Sequence, residues 1–176
     1  MRVEKETWLN RMQNLMNRRS SSSSVSGPPN KLSNYGDHLS KVHIGKSVLD
    51  VGCGSMAIKD ALPEGVIYVG LDPFPVSSVV IDGMIETDGI EKQLPPIDTV
   101  VCFAVMDGCM DFTKACDNIK KIAKENVVFL TGIGIDPDQY HTHRLELAHY
   151  RKAFEGWKET LCEKLAEKVY LIEYTK

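Results

Sequence analysis

The residues best suited to chemistry fall in three places. The first is Asp50-Val51-Gly52-Cys53-Gly54, entered from Val48-Leu49. A short apolar strand, 47–51, runs there into glycines that let the backbone turn sharply and approach a ligand with no Cβ in the way. A second apolar run, 66–71, ends at Asp72, about 20 residues beyond the glycines, the spacing at which a carboxylate can accept hydrogen bonds from a ribose. Strand, glycine turn, helix, strand and acid make half of a nucleotide site. The second place is His141-Thr142-His143. A neutral imidazole near its unperturbed pKa is a suitable proton acceptor. Two of them at i, i+2 put both rings on one side of an extended chain and also suggest a metal pair, yet no third ligand follows at a clear spacing, and no metal is expected. The third place is Asp107, a second candidate base.

Such groups need a frame. The segments 47–51, 66–71, 78–81, 97–103 and 126–131 read as short buried strands. Between them, 56–62 can be a helix, while 111–124 (Phe112, Ala115, Cys116, Ile119, Ile122) and 145–157 (Leu147, Tyr150, Phe154) place apolar residues at helical spacing. The segments 160–165 and 168–174 read as a closing hairpin, although a helix competes for the first. A shorter helix, 31–42, sets Leu32, Tyr35, Leu39 and Val42 along one side. Alternating strands and helices require a mostly parallel α/β sheet with right-handed crossovers and helices on both faces, a three-layer Rossmann-like fold. The loop 132–143 then emerges at the carboxyl ends of the strands, where ligands of open α/β sheets lie.

Asp50-x-Gly52-x-Gly54 followed by Asp72 resembles the first two motifs of the class I S-adenosylmethionine-dependent methyltransferases, with Met56 where many members have a third glycine. The same residues fit a dinucleotide pattern, Gly52-x-Gly54-x-x-Ala57. Asp50 separates the two, because a carboxylate there suits the cationic amino-acid end of S-adenosyl-L-methionine and repels a pyrophosphate. The resemblance covers 31–176. It implies a seven-stranded sheet with the last strand antiparallel, S-adenosyl-L-methionine as cofactor, and methyl transfer to an oxygen or nitrogen of an acceptor that is a small molecule, RNA or protein. Residue by residue, it implies that Asp50 meets the cationic end, Gly52 and Gly54 lie beneath the ligand, Asp72 holds the ribose hydroxyls and Asp82 meets the adenine amino group. Met84 or Ile85 then lies beside the adenine, with Gly83 also at the cofactor, and Phe103 ends the strand where methyl and acceptor meet. Family members often carry His-x-His after the fifth strand, so His141 and His143 are catalytic candidates, with Asp107 second. A helix such as 31–42 crosses the pocket in that family, which would put Tyr35 at the ligand. The Asn/Asp-Pro-Pro-aromatic tetrad of enzymes that methylate base amino groups is absent. A non-catalytic partner subunit is the alternative reading; a nicotinamide-dependent oxidoreductase is disfavoured by Asp50 and by the lack of a substrate domain.

Composition narrows the classes further. A net charge of −3 over 176 residues exerts no global pull toward nucleic acid or an anionic membrane. The five cysteines, Cys53, Cys102, Cys109, Cys116 and Cys162, form no Cys-x-x-Cys pair, which fits a reducing compartment rather than a disulfide frame. No apolar run approaches the roughly 20 residues that span a bilayer, and Glu4-Lys5-Glu6 is no signal-peptide core, so a cytoplasmic protein without membrane attachment is expected. Residues 1–30 stand apart from a domain over 31–176. Trp8, Leu9, Met12, Leu15 and Met16 make 3–19 an amphipathic helix, and a Ser/Pro-rich linker, 20–29, follows. That segment is expected to be a lid, a tether, or a helix that docks on a protein partner.

Overall fold

The computed structural model describes residues 2–21, 34–75, 77–139 and 141–176, with 15–21 by backbone alone. Its strands are β1 (Ser47–Val51), β2 (Ile67–Asp72), β3 (Val80–Asp82), β4 (Ile97–Phe103), β5 (Ala123–Gly132), β6 (Lys158–Ala166) and β7 (Val169–Thr175). The helices are α1 (Lys5–Ser21), α2 (Tyr35–Leu39), α3 (Phe112–Ile122) and α4 (Leu147–Ala153). All seven strands form one sheet in the order β3-β2-β1-β4-β5-β7-β6. β1 to β5 pair in parallel, while β7 is antiparallel to both β5 and β6. This is the three-layer Rossmann-like methyltransferase fold with its last strand antiparallel.

Alternation along the central strands builds the two faces. Leu49, Val100, Cys102, Val127 and Phe129 point into one cluster with Ala115, Ile119, Tyr150 and Phe154 of the α3–α4 side. Val48, Val101, Phe103, Val128 and Leu130 point into the other, covered by Leu39 of α2, Tyr35 and Ile58. β1 is buried along its whole length, as a strand flanked by parallel neighbours must be. The strand order reverses at β1 and β4, so the turns leaving these two strands open a crevice at their carboxyl ends.

Several element boundaries differ from the sequence expectations, each for a local reason. The helix expected over 56–62 is only a 3-10 turn, Lys59–Ala61. Met56 takes a left-handed φ of 61°, and Pro63 forces Leu62 into extended backbone (ψ 150°), leaving no room for an α-helical run. α3 stops at Ile122 instead of 124, because Ala123 pairs with Ile97 and joins the sheet. α4 begins at Leu147, after a capping box between Glu146 and His149, and ends before Phe154, which turns inward to stack on Tyr174 with ring centroids 5.0 Å apart. α2 is shorter than 31–42; Leu32 and the linker residues 22–29 lie outside the described residues. The third strand is Val80–Asp82, and 158–166 is strand β6, its pairing with β7 prevailing over any helical preference.

α1 docks on its own chain. The Trp8 ring is buried with Met84 and Met110, its indole Nε1 donating to the Gly108 carbonyl at 2.7 Å. Just before the helix, the Val3 N–H donates to the Met110 carbonyl at 3.0 Å.

Candidate active site

The crevice at the switch point is a cavity of about 380 Å³, within the usual range of ligand sites. Asp72, Phe74 and the run Gly83–Glu86 line one end, on the β2–β3 side, and Ala104, Val105, Asp107 and His141 the other, on the β4 side, with Gly52 between them against Val105. Trp8 and Met12 of α1 roof it.

Asp72 ends β2 with its carboxylate fixed. Oδ2 accepts from the Gly54 N–H at 2.9 Å and Oδ1 from the Phe74 N–H at 2.8 Å. Each oxygen keeps a second acceptor position, which suits a vicinal diol. Around it lie Phe74, Met84 and Ile85, apolar surfaces for a flat ring. Asn118 of α3 braces this wall by donating to the carbonyls of Ile85 and Thr87 at 2.7 and 3.1 Å. Gly54 adopts φ +48°, and a Cβ there would meet nothing within 4 Å, so the turn leaves open space beside the Asp72 carboxylate.

Asp50 lies behind the glycine turn rather than in the cavity lining. It is 2% exposed and accepts from the Tyr68 hydroxyl at 2.8 Å. Burial raises its pKa to about 7, with the Tyr68 hydrogen bond opposing and the Asp72 charge adding to the rise. No lysine or arginine is paired with it among the described residues. The folded pKa exceeds the unfolded value of 3.8, so its contribution to stability is full below that value and is lost as pH rises toward 7. Asp50→Asn, which keeps an acceptor for Tyr68, is therefore expected to flatten the fall in stability between about pH 4 and 7. At pH 8 it should gain as much as about 4 kcal/mol, read from urea unfolding of both proteins at pH 5 and pH 8.

At the other end, Asp107 follows β4 and is buried. Burial raises its pKa, opposed by the nearby His141 and by backbone N–H groups including those of Gly108 and Gly132. The loop after β5 is folded onto it: the N–H groups of Thr142 and His143 both donate to the Asp107 carbonyl, at 2.7 and 2.9 Å. The chain is thus bent at this point, not extended, and the two histidine rings part company. His141 lines the cavity, its Nε2 3.6 Å from Asp107 Oδ2 and its Nδ1 2.8 Å from Asp138 Oδ1. His143 is 4% exposed, its Nε2 has no hydrogen-bond partner, and burial pushes its pKa down. It lies outside the cavity lining, where a neutral packed ring serves structure.

Of the residues singled out from sequence, the cavity brings together Gly52, Asp72, Gly83, Met84, Asp107 and His141. Asp50, Gly54, Asp82, Phe103, Tyr35 and His143 lie outside that lining. Asp82 ends β3 but is exposed to solvent and is not in the lining. Phe103 points to the opposite face of the sheet, where its ring lies 5.5 Å from that of Tyr35, so neither ring reaches the cavity. Gly52 does line it, yet what its missing side chain clears is Val105, since a Cβ there would stand 2.5 Å from Val105 Cγ2. Sequence reasoning passed over Glu86, Phe74 and Asp138. Phe74 had a signal, the rigid Pro73-Phe74-Pro75 turn directly after Asp72; Glu86, buried with Oε1 accepting the Met110 N–H at 2.8 Å, had none. Among the described residues, no group of three His, Cys, Asp or Glu is arranged to hold a metal, and no helix is long and apolar enough to cross a membrane.

No protein-family model matches the sequence, and no curated protein does. Solved structures do match the fold. Magnesium protoporphyrin IX methyltransferase from Synechocystis, solved with bound S-adenosylmethionine, is 14% identical at a TM-score of 0.68, with 99% of this chain and 98% of that chain covered. The 1,6-didemethyltoxoflavin-N1-methyltransferase of Burkholderia thailandensis, solved with its substrate and S-adenosylhomocysteine, is 7% identical at a TM-score of 0.71, covering 99% and 91%. An S-adenosylmethionine-dependent methyltransferase from Aquifex aeolicus is 13% identical at a TM-score of 0.62, covering 84% and 93%. At these identities the shared property is the fold.

Proposed function

We propose that this chain is an S-adenosylmethionine-dependent methyltransferase that transfers a methyl group to an oxygen or nitrogen of a small acceptor. The observation that carries the reading is one cavity at the β1/β4 switch point with a fixed ribose-type acid, Asp72, at one end and the Asp107–His141 pair at the other. The residues present fit the cofactor. Asp72 offers acceptors to the ribose hydroxyls and the Gly83–Ile85 run with Phe74 borders the adenine, whereas Asp50, 2% exposed and outside the lining, does not face the ligand as the resemblance implied.

When bound, the cofactor supplies an activated methyl on a sulfonium whose leaving group is neutral. The protein's share is alignment, which can contribute about 7–11 kcal/mol, and removal of the acceptor's proton. His141 Nε2 is the group placed to take that proton, and Asp107, 3.6 Å away, stabilises the imidazolium that forms. Among the described residues the lining carries the carboxylates of Asp72, Glu86 and Asp107 and no lysine or arginine. Such a site favours a neutral or cationic acceptor over a carboxylate or a phosphate ester.

α1 acts as a lid in this reading. Trp8 and Met12 face the cavity, which counts against their presenting a docking surface to a protein partner and so against a non-catalytic subunit. The test is calorimetric titration of the full chain with S-adenosylmethionine, S-adenosylhomocysteine and NAD. Binding of both adenosyl compounds in the micromolar range, with NAD silent, is expected; absence of binding by either adenosyl compound sinks the assignment.

A further inference from the structure

We propose that Asp138 is the positioning residue for His141, and that Arg11 of α1 holds the loop carrying both, so that the base is set by the docked lid. The proposal rests on the methyltransferase reading only for the use made of the base; the geometry stands by itself.

Asp138 grips His141 at three points. Its Oδ1 accepts the His141 backbone N–H at 2.8 Å and faces the ring Nδ1 at 2.8 Å, while its own N–H donates to the His141 carbonyl at 3.0 Å. An ionised carboxylate only accepts hydrogen bonds, so the ring nitrogen facing it carries the proton. The lone pair of a neutral ring is then on Nε2, the atom directed toward Asp107 and the cavity. Arg11 clamps the same turn from above. Its Nε donates to the Gln139 carbonyl at 3.1 Å and its Nη2 to the His141 carbonyl at 3.0 Å. The Gly108 carbonyl accepts from both the Trp8 indole at 2.7 Å and the Thr142 hydroxyl at 3.1 Å. Helix α1, the Asp107–Gly108 turn and the histidine loop therefore meet at one seam.

The experiment is long-range proton–nitrogen NMR of the ¹⁵N-histidine-labelled full chain at alkaline pH, without any methyl donor, which reads the tautomer of each imidazole. The wild-type His141 is expected as the Nδ1–H form. Asp138→Ala should shift it to the mixed, mainly Nε2–H population of a solvated imidazole, whereas Asp138→Asn, which keeps a carbonyl, should retain Nδ1–H. Arg11→Ala should lower the Nδ1–H fraction although it touches no ring atom. The amide shifts of Thr142 and His143, both bonded to the Asp107 carbonyl, show whether the loop stays in place, and where Asp138→Ala moves them the Asn variant decides. A wild-type His141 in the Nε2–H form, or a tautomer unchanged in Asp138→Ala with those amides in place, overturns the role of Asp138. An unchanged fraction in Arg11→Ala overturns the clamp. Failure of cofactor binding in the calorimeter leaves the tautomer result intact, so the two readings fail separately.

Discussion

Asp72→Ala is expected to weaken binding of S-adenosylhomocysteine at least ~100-fold while leaving the chain folded. Hydrogen bonds to a charged acceptor contribute about 1.5–3 kcal/mol each, and two to a ribose diol together correspond to roughly 10²- to 10⁴-fold in affinity. The carboxylate is also pre-set: Gly54 N–H and Phe74 N–H already hold its two oxygens, so no ordering cost arises when a ligand arrives. Removing it loses both the acceptors and the brace between the glycine turn and the Phe74 turn. Asp72→Asn retains one carbonyl oxygen and is expected to fall between the two proteins. Calorimetry on all three, with thermal unfolding as a check that they are folded, provides the measurement. A loss smaller than about five-fold in Asp72→Ala would mean that no ribose lies against this carboxylate.

The frame around that carboxylate was legible because burial imposes simple patterns. Ser47–Val51 and Ile97–Phe103 are strands at the expected limits, since strands covered on both faces carry near-continuous apolar runs, here Val48–Leu49 and Val100–Phe103. Asp72 was legible from its distance to the glycines. Less legible was everything decided by packing between distant segments. His141 and His143 look equivalent in sequence, and only the double hydrogen bond onto the Asp107 carbonyl turns one toward the cavity and buries the other. Phe103 shares a strand end with cavity residues, but strand alternation assigns it to the α2 face, a parity that a motif does not reveal. The helix after the glycine turn failed for a reason visible in retrospect: Pro63 follows Met56 too closely. That α1 would roof the site had no local signal, since an amphipathic helix carries no address for the surface it covers.

Gly52→Ala is expected to cost about 2–5 kcal/mol of stability, and the reason separates a structural glycine from a ligand-clearing one. The residue sits at φ +68°, and its missing Cβ would stand 2.5 Å from Val105 Cγ2 and 3.1 Å from Cγ1. Left-handed backbone costs alanine about 1–2 kcal/mol, and forcing a methyl into an occupied space typically adds about 1–3. For a chain of this length each kcal/mol lowers the melting temperature by roughly 2–4 °C, so a drop on the order of 5–15 °C should appear in a thermal scan. Val105→Ala removes both contacting methyls, so in the double variant the steric part should return and only the backbone part remain, a favourable coupling of about 1–3 kcal/mol. A glycine kept only to admit a ligand behaves differently: its alanine variant loses affinity with little loss of stability, and Val105→Ala restores nothing. Val105 follows β4 whereas Gly52 follows β1, so the contact ties together the two turns that bound the crevice. The expected coupling therefore also measures how firmly the switch point holds its shape before any ligand is present.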